Sequence, residues 1–234
     1  MEFGTMAQWA GAVATLLAVC VALFKDEILK WRRKPKLALN VALAPPDCHK
    51  TTLSYKVQRT ALTFVTAECY YLRLWVKNEG KTRAETVQVF AEKLCRRSAD
   101  GQFKPVENFI PMNLRWAYSH ANGRPPEIFA DGISPGMGKH CDLGCVVDPA
   151  RRKDLGDDLP GVQAQETILK LDVEFPPNTM SHLIAPGVYR LHLLLAAANC
   201  APVATQLEIT LTGKWSSDER LMFSDGLGIT VISQ

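Results

Sequence analysis

The chain has 234 residues, 47 % of them hydrophobic and 22 % charged, with a formal net charge of +3. Those proportions are ordinary for a globular protein and exclude a disordered, low-complexity chain. Six cations, Lys25, Lys30, Arg32, Arg33, Lys34 and Lys36, against Asp26 and Glu27 give residues 25–36 a charge of +4, which leaves −1 for everything else. The basic balance therefore belongs to one short segment. A nucleic-acid-binding domain needs a basic face of its own, so no nucleic-acid partner is expected.

The first five residues, Met1 to Thr5, read like a translated cloning linker and are set aside. From Met6 to Phe24 there is no charged residue. About 19 helical residues at ~1.5 Å each span the ~30 Å hydrocarbon core of a bilayer. A secretory signal would need a positive n-region, and Met1 to Gln8 contains no Lys or Arg. An interfacial helix would need a polar face, and only Gln8, Thr15 and Cys20 interrupt the apolar run. Residues 6–24 are thus predicted to be a transmembrane helix whose partner is the lipid bilayer. The basic segment 25–36 would sit against anionic head groups and set the topology. The positive-inside bias places the N-terminus outside and the bulk of the chain in the cytoplasm, under a bacterial inner membrane. Ala10, Ala14, Ala18 and Ala22 recur every four residues with Gly11 and Thr15 beside them. Such a stripe of small side chains lets another helix approach closely and suggests a homo-oligomer.

Residues 37–234 suffice for one large domain. Its strands are announced by period-two alternation. Leu37, Leu39, Val41 and Leu43 share a face; so do Tyr70, Leu72, Leu74 and Val76. Val87, Val89 and Ala91 follow, then Leu169, Leu171, Val173 and Phe175. Tyr189 to Leu195, Leu207 to Leu211 and Gly228 to Ile232 complete the set. Asn78-Glu79-Gly80-Lys81 and Asn122-Gly123 read as turns, and Pro186-Gly187 introduces the Tyr189 strand, which Asn199 to Pro202 ends. The single predicted helical turn of this region follows Trp215, with Ser216 and Glu219 at capping-box spacing.

Many strands without a long helix point to a β-sandwich. The strand pair around Asn78-Glu79-Gly80 resembles the central hairpin of immunoglobulin-like binding modules, over roughly 30 residues. Trp75 lies in a strand, but Cys69 precedes it in the same run, so the Cys…Trp…Cys core of true immunoglobulin domains is not reproduced. The resemblance implies an architecture and no functional residues.

Three long connections interrupt the strands, at residues 45–67, 97–127 and 146–166; the first two include apolar pieces, Leu62 to Val65 and Phe109 to Tyr118, that are candidate short strands. Long loops on a rigid scaffold are where binding concentrates. The stretch Trp116 to Gly138 is the richest, and Trp116, Tyr118, His120 and Arg124 are the candidate binding residues. Asp157 and Asp158, beside Gly156 and Pro160, read as solvated loop charges.

Catalytic patterns fail on context. Gly132-Ile133-Ser134-Pro135-Gly136 matches G-x-S-x-G, but Pro135 has no N–H for an oxyanion and no helix is expected after it. Gly136-Met137-Gly138-Lys139 lacks both the spacing and the hydroxyl of a phosphate loop. His140, Cys141 and Cys145 could contribute metal ligands but have no second pair. On a regular strand, Cys141 and Cys145 would face one side and pack inward. The seven cysteines read as free, mostly buried thiols, and neither a metal nor a cofactor is expected.

The sequence thus predicts a mainly β protein, an immunoglobulin-like antiparallel β-sandwich preceded by one transmembrane α-helix. Its expected function is non-enzymatic: a tethered binding or scaffold module that engages a protein or small-molecule ligand. The alternatives are a membrane-anchored hydrolase or metal enzyme with a site near residues 116–145, and a reversed topology with bridged cysteines outside the cell.

Overall fold

A computed structural model of the chain describes residues 6–57, 63–119 and 127–233. The suspected linker 1–5, the Asn122-Gly123 turn, His120 and Arg124 lie outside them. The protein is mainly β, with two antiparallel sheets and one N-terminal apolar helix.

Helix α1 runs from Met6 to Arg32. Within it Gln8–Lys25 is long and apolar enough to cross a membrane, and none of that stretch is buried against the rest of the protein. Ala10, Gly11, Ala14, Ala18 and Ala22 all face outward, as does Lys25. Thr15 donates its hydroxyl to the Gly11 carbonyl at 2.8 Å, so its polarity is absorbed within the helix.

The first sheet is built on β3 (Thr63–Asn78). One edge of β3 pairs with β1 (Leu37–Asn40) and β2 (Cys48–Val57). The second sheet is built on β4 (Ala84–Arg97). Three short strands, β5 (Phe103–Pro105), β6 (Met112–Asn113) and β8 (Ala130–Ile133), line one side of β4, while β7 (Arg115–Trp116) belongs to the first sheet. The other edge of β3 pairs with β9 (Gly138–Val147), which pairs onward with β10 (Leu169–Leu171) and then β11 (Leu183–Ile184). β12 (Gly187–Ala197), β13 (Cys200–Leu211) and β14 (Leu227–Ser233) extend the second sheet outward from β4.

Both sheets turn an apolar face to one core. Tyr70, Leu72, Leu74 and Val76 from the first sheet meet Val87, Val89, Leu191, Leu193 and Leu207 from the second, as the alternation requires. Trp116 ties the layers. It is 3 % exposed, and its indole N–H donates to the carbonyls of Val87 (3.2 Å) and Ile128 (3.1 Å).

Several expectations need correction. Of residues 45–67, Cys48–Val57 form β2, and the apolar piece expected as a short strand at Leu62 to Val65 is, from Thr63, the start of the long strand β3. β2 is an edge strand of Thr, Ser and Lys, wet on much of its surface, so its alternation is faint. The strand at Leu169 stops at Leu171: Val173 stays buried but makes only an isolated bridge to Leu114, and Phe175 is 77 % exposed. β12 and β13 join through a tight turn at Ala198 and Asn199, and Cys200 to Pro202 are already strand. The helical turn after Trp215, α2 (Glu219–Leu221), is capped by Asp218 rather than Ser216. The Asp218 carboxylate accepts from the N–H groups of Arg220 and Leu221, whereas the Glu219 carboxylate accepts from the N–H of Lys50 at 2.7 Å.

A strap of four residues joins α1 to β1, and it is fastened. The buried Asn78 side chain accepts from Lys36 N–H (3.2 Å) and Gly80 N–H (2.9 Å). Its amide donates to the carbonyls of Thr82 (2.7 Å) and Ile133 (2.9 Å). The Glu79 N–H donates to the Lys36 carbonyl at 2.7 Å, and the Thr82 hydroxyl to the Arg33 carbonyl at 2.5 Å. A Cβ on Gly80 would lie 2.4 Å from the Lys36 nitrogen, so only glycine lets the turn and the strap touch.

Candidate functional site

The most developed polar arrangement lies on the outer face of the first sheet. A bulge in β9 creates it. Leu72 pairs with Gly144 and Arg73 with Asp142, so Leu143 is an extra residue. Residues before and after the bulge therefore alternate out of phase. Cys141 enters the main core while Cys145 joins an outer cluster with Ala67, Cys69 and Val147. The expectation that both thiols share a face fails for this reason. Gly144 (φ +154°) permits the bulge, since a Cβ there would fall 2.0 Å from the Lys170 carbonyl oxygen.

Asp142, turned outward by this register, accepts from Arg73 Nε at 3.1 Å. Arg73 Nη1 donates to the Tyr118 hydroxyl at 2.9 Å. The guanidinium carbon lies 4.6 Å from the Tyr118 ring centroid and 5.1 Å from that of Tyr71, so two aromatic faces cover the cation. Tyr71 donates its hydroxyl to Asp172 Oδ2 (2.7 Å), and Arg115 Nη1 donates to Asp172 Oδ1 (3.1 Å). Two cations and two carboxylates thus neutralise one another. Tyr118 is 74 % exposed and adopts a left-handed φ of +62°. A bulky residue in that conformation is strained and is held by its neighbours.

Burial and then the Asp172 charge push the Asp142 carboxyl up to about 6, against the pull of Arg73. Burial and Asp172 likewise raise Tyr71, which stays a neutral donor. An acid that holds its proton more tightly when folded stabilises the fold at low pH. That contribution is complete below the ordinary 3.8 and is lost as pH rises through about 6. Asp142→Asn should flatten a stability loss on the order of 3 kcal/mol between about pH 4 and 6, read as urea midpoints of variant and parent. An unchanged slope would contradict the assignment.

Beside this network is a cavity of about 160 Å³ lined by Leu53, Tyr71, Cys145, Lys170, Leu171 and Asp172. That volume takes about one benzene-sized ring. Lys170 Nζ donates to Asp157 Oδ1 at 2.7 Å. Asp157 is 5 % exposed, so it is not a solvated loop charge: it lies under the loop as the partner of Lys170. Two 3₁₀ turns, Pro149–Arg151 and Lys153–Leu155, fold over the adjoining surface, and Leu155 packs on the outer cluster. The buried Arg152 holds this loop by donating to the carbonyls of Glu166 (2.6 Å) and Gln163 (3.1 Å).

Of the residues singled out in the sequence, Tyr118 stands at the rim of this network. Trp116 belongs to the core, where its indole is fully engaged. His120 and Arg124 fall outside the described residues. Lys34 and Arg33 are exposed on the strap, and Lys36 pairs with Glu79 at 3.3 Å. The network behind Tyr118 was not legible in sequence, because Arg73 lies on β3, Asp142 on β9 and Asp172 just beyond β10.

Ser134 sits in a turn, with Met137 N–H donating to its carbonyl at 3.0 Å, and strand β9 follows instead of a helix. His140 faces Asp47 (2.9 Å) and packs at a tilt against the Trp75 ring, while the Cys141 thiol donates to the Arg115 carbonyl. Among the described residues, no three His, Cys, Asp or Glu side chains converge as metal ligands. All seven cysteines are unbridged, and burial pushes Cys48 and Cys69 up to about 12. No family model, curated protein or solved structure matches the chain.

Proposed function

We propose that the protein is a single-pass, membrane-tethered, non-enzymatic binding module. Its helix spans the bacterial inner membrane with the N-terminus outside, and an immunoglobulin-like β-sandwich stands at the cytoplasmic face. The observation that carries this reading is α1 itself: an apolar stretch covered by no part of the protein, ending in a basic strap. A helix apolar all round needs a nonaqueous environment, and a bilayer supplies it. In that setting the Ala10–Ala22 stripe is open to lipid or to a second copy of the helix.

The cavity beside Tyr71 is the proposed ligand site. Its walls suit a small planar ring, with the Lys170 ammonium as donor and the Asp172 carboxylate as acceptor at its edge. The surrounding acids and bases are already paired to one another, an arrangement that favours recognition over proton transfer.

Sidedness in intact cells tests the tether. Alkaline carbonate should leave the chain in the membrane fraction. An impermeant thiol reagent should fail to label Cys200, the partly exposed thiol of the β domain, until the cells are lysed. Labelling before lysis would reverse the topology, and extraction by carbonate would end the spanning assignment.

A further inference from the structure

The end of the β domain that carries the strap has a surface of its own. Asn78 is the centre of it. Its backbone N–H donates to the Met137 carbonyl (2.9 Å), and its own carbonyl accepts from Gly136 N–H (2.8 Å). Its side chain binds the strap at Lys36 and the turn at Gly80. Three pieces are therefore fixed together: the strap 33–36, the turn 79–83 and the turn 134–137.

Their distance from the proposed membrane is short. From Phe24 to Arg32 the helix climbs roughly 12 Å at ~1.5 Å per residue. The head-group layer occupies about 5–7 Å of that on each side of the bilayer. The fixed turns then begin about 5 Å beyond the head groups, and a tilted helix brings them nearer. That is inside the Debye length of ~8 Å at physiological salt, where surface cations feel an anionic leaflet.

Their chemistry matches such a leaflet. Lys34, Lys81, Arg83 and Lys139 are exposed here, and none makes an ion pair among the described residues. The acidic residues of this end are Glu79, held by Lys36, with Glu85 and Asp131 farther along their strands. Between the basic turns projects Met137, 62 % exposed, on the uncharged turn Ser134-Pro135-Gly136. A long apolar side chain among lysines is the pattern of a surface that rests on lipid.

We propose that this end of the β domain is a second membrane contact, which binds anionic phospholipid head groups through Lys34, Lys81, Arg83 and Lys139 and inserts Met137 among them. The contact rests on the reading that α1 spans the bilayer. It holds the domain against the membrane it is tethered to, and it makes that posture sensitive to the lipid charge.

The test uses the full chain in nanodiscs of phosphatidylcholine alone, or with about a third phosphatidylglycerol, each with a trace of gadolinium-chelating lipid. Methyl-labelled methionines report distance to the head groups by NMR relaxation. Met137 should relax several-fold faster in the anionic discs, while the core residues Met112 and Met222 serve as internal controls. Raising salt to about 0.5 M should remove most of the difference, and so should Lys81→Glu with Lys139→Glu. Equal Met137 relaxation in both lipids, with the chain still resistant to carbonate extraction, overturns the contact alone. A chain that carbonate extracts overturns the spanning assignment, and the contact with it.

Discussion

Gly144→Ala should cost the fold about 3–5 kcal/mol, the size of effect that follows from forcing a side chain into filled space at a glycine-only backbone. The new Cβ would lie 2.0 Å from the Lys170 carbonyl oxygen, 2.9 Å from its carbon and 3.0 Å from Leu171 Cα. These are backbone atoms, so no rotamer change relieves the clash. β10 must move away from β9, and the pairing of Lys170 with Cys145 and of Leu171 with Gly144 is lost. For a domain of this size the thermal midpoint should fall by roughly 10 °C. A local readout accompanies it: Cys145, 8 % exposed in the parent, should become reactive to thiol reagents before the rest of the core does. A midpoint within about 1 °C of the parent would show that the bulge is not fixed by this glycine.

Asn78→Ala should cost about 3 kcal/mol and act chiefly at the junction with α1. The substitution removes the acceptor of Lys36 and Gly80 N–H and the donor to the Thr82 and Ile133 carbonyls. Leaving a buried polar group without its partner costs about 1–3 kcal/mol, though those nearest the surface recover water. Hydrogen exchange should quicken at Lys36, Gly80 and Lys81 under conditions where the core strands stay protected. Uniform loss of protection across both sheets would instead make Asn78 an ordinary core residue.

How much of this was legible in the sequence depends on the periodicity of each segment. β12 and β13 were plain because Tyr189 to Leu195 and Leu207 to Leu211 alternate without interruption and end up inward. The stretch Val87 to Ala91 was equally plain, but the inward phase changes at Leu94, because His192 pairs with Lys93 and Leu193 with Ala91, which leaves Glu92 extra. β9 was hidden for the same reason: a bulge breaks period two in its middle. The candidate site inherits that difficulty. Its charges sit on β3, on β9 and just beyond β10, and only the bulged register brings Asp142 opposite Arg73. Tyr118 was reachable, since an aromatic residue in a Gly- and Pro-rich loop is conspicuous. That Trp116, two residues earlier, points into the core follows from its strand pairing with Cys141, which sequence spacing does not reveal.

The fastened strap has a mechanical consequence. Only four residues separate the last turn of α1 from β1, and they are hydrogen-bonded to the turn at Asn78–Thr82. A loose tether would let the helix spin while the domain tumbled independently. Here rotation of the helix about its own axis carries the β3–β4 turn with it, and a push on that turn is returned to the helix. The junction works as a lever with its fulcrum at Asn78, so a turning force on the helix is felt by the β domain, and one on the domain by the helix.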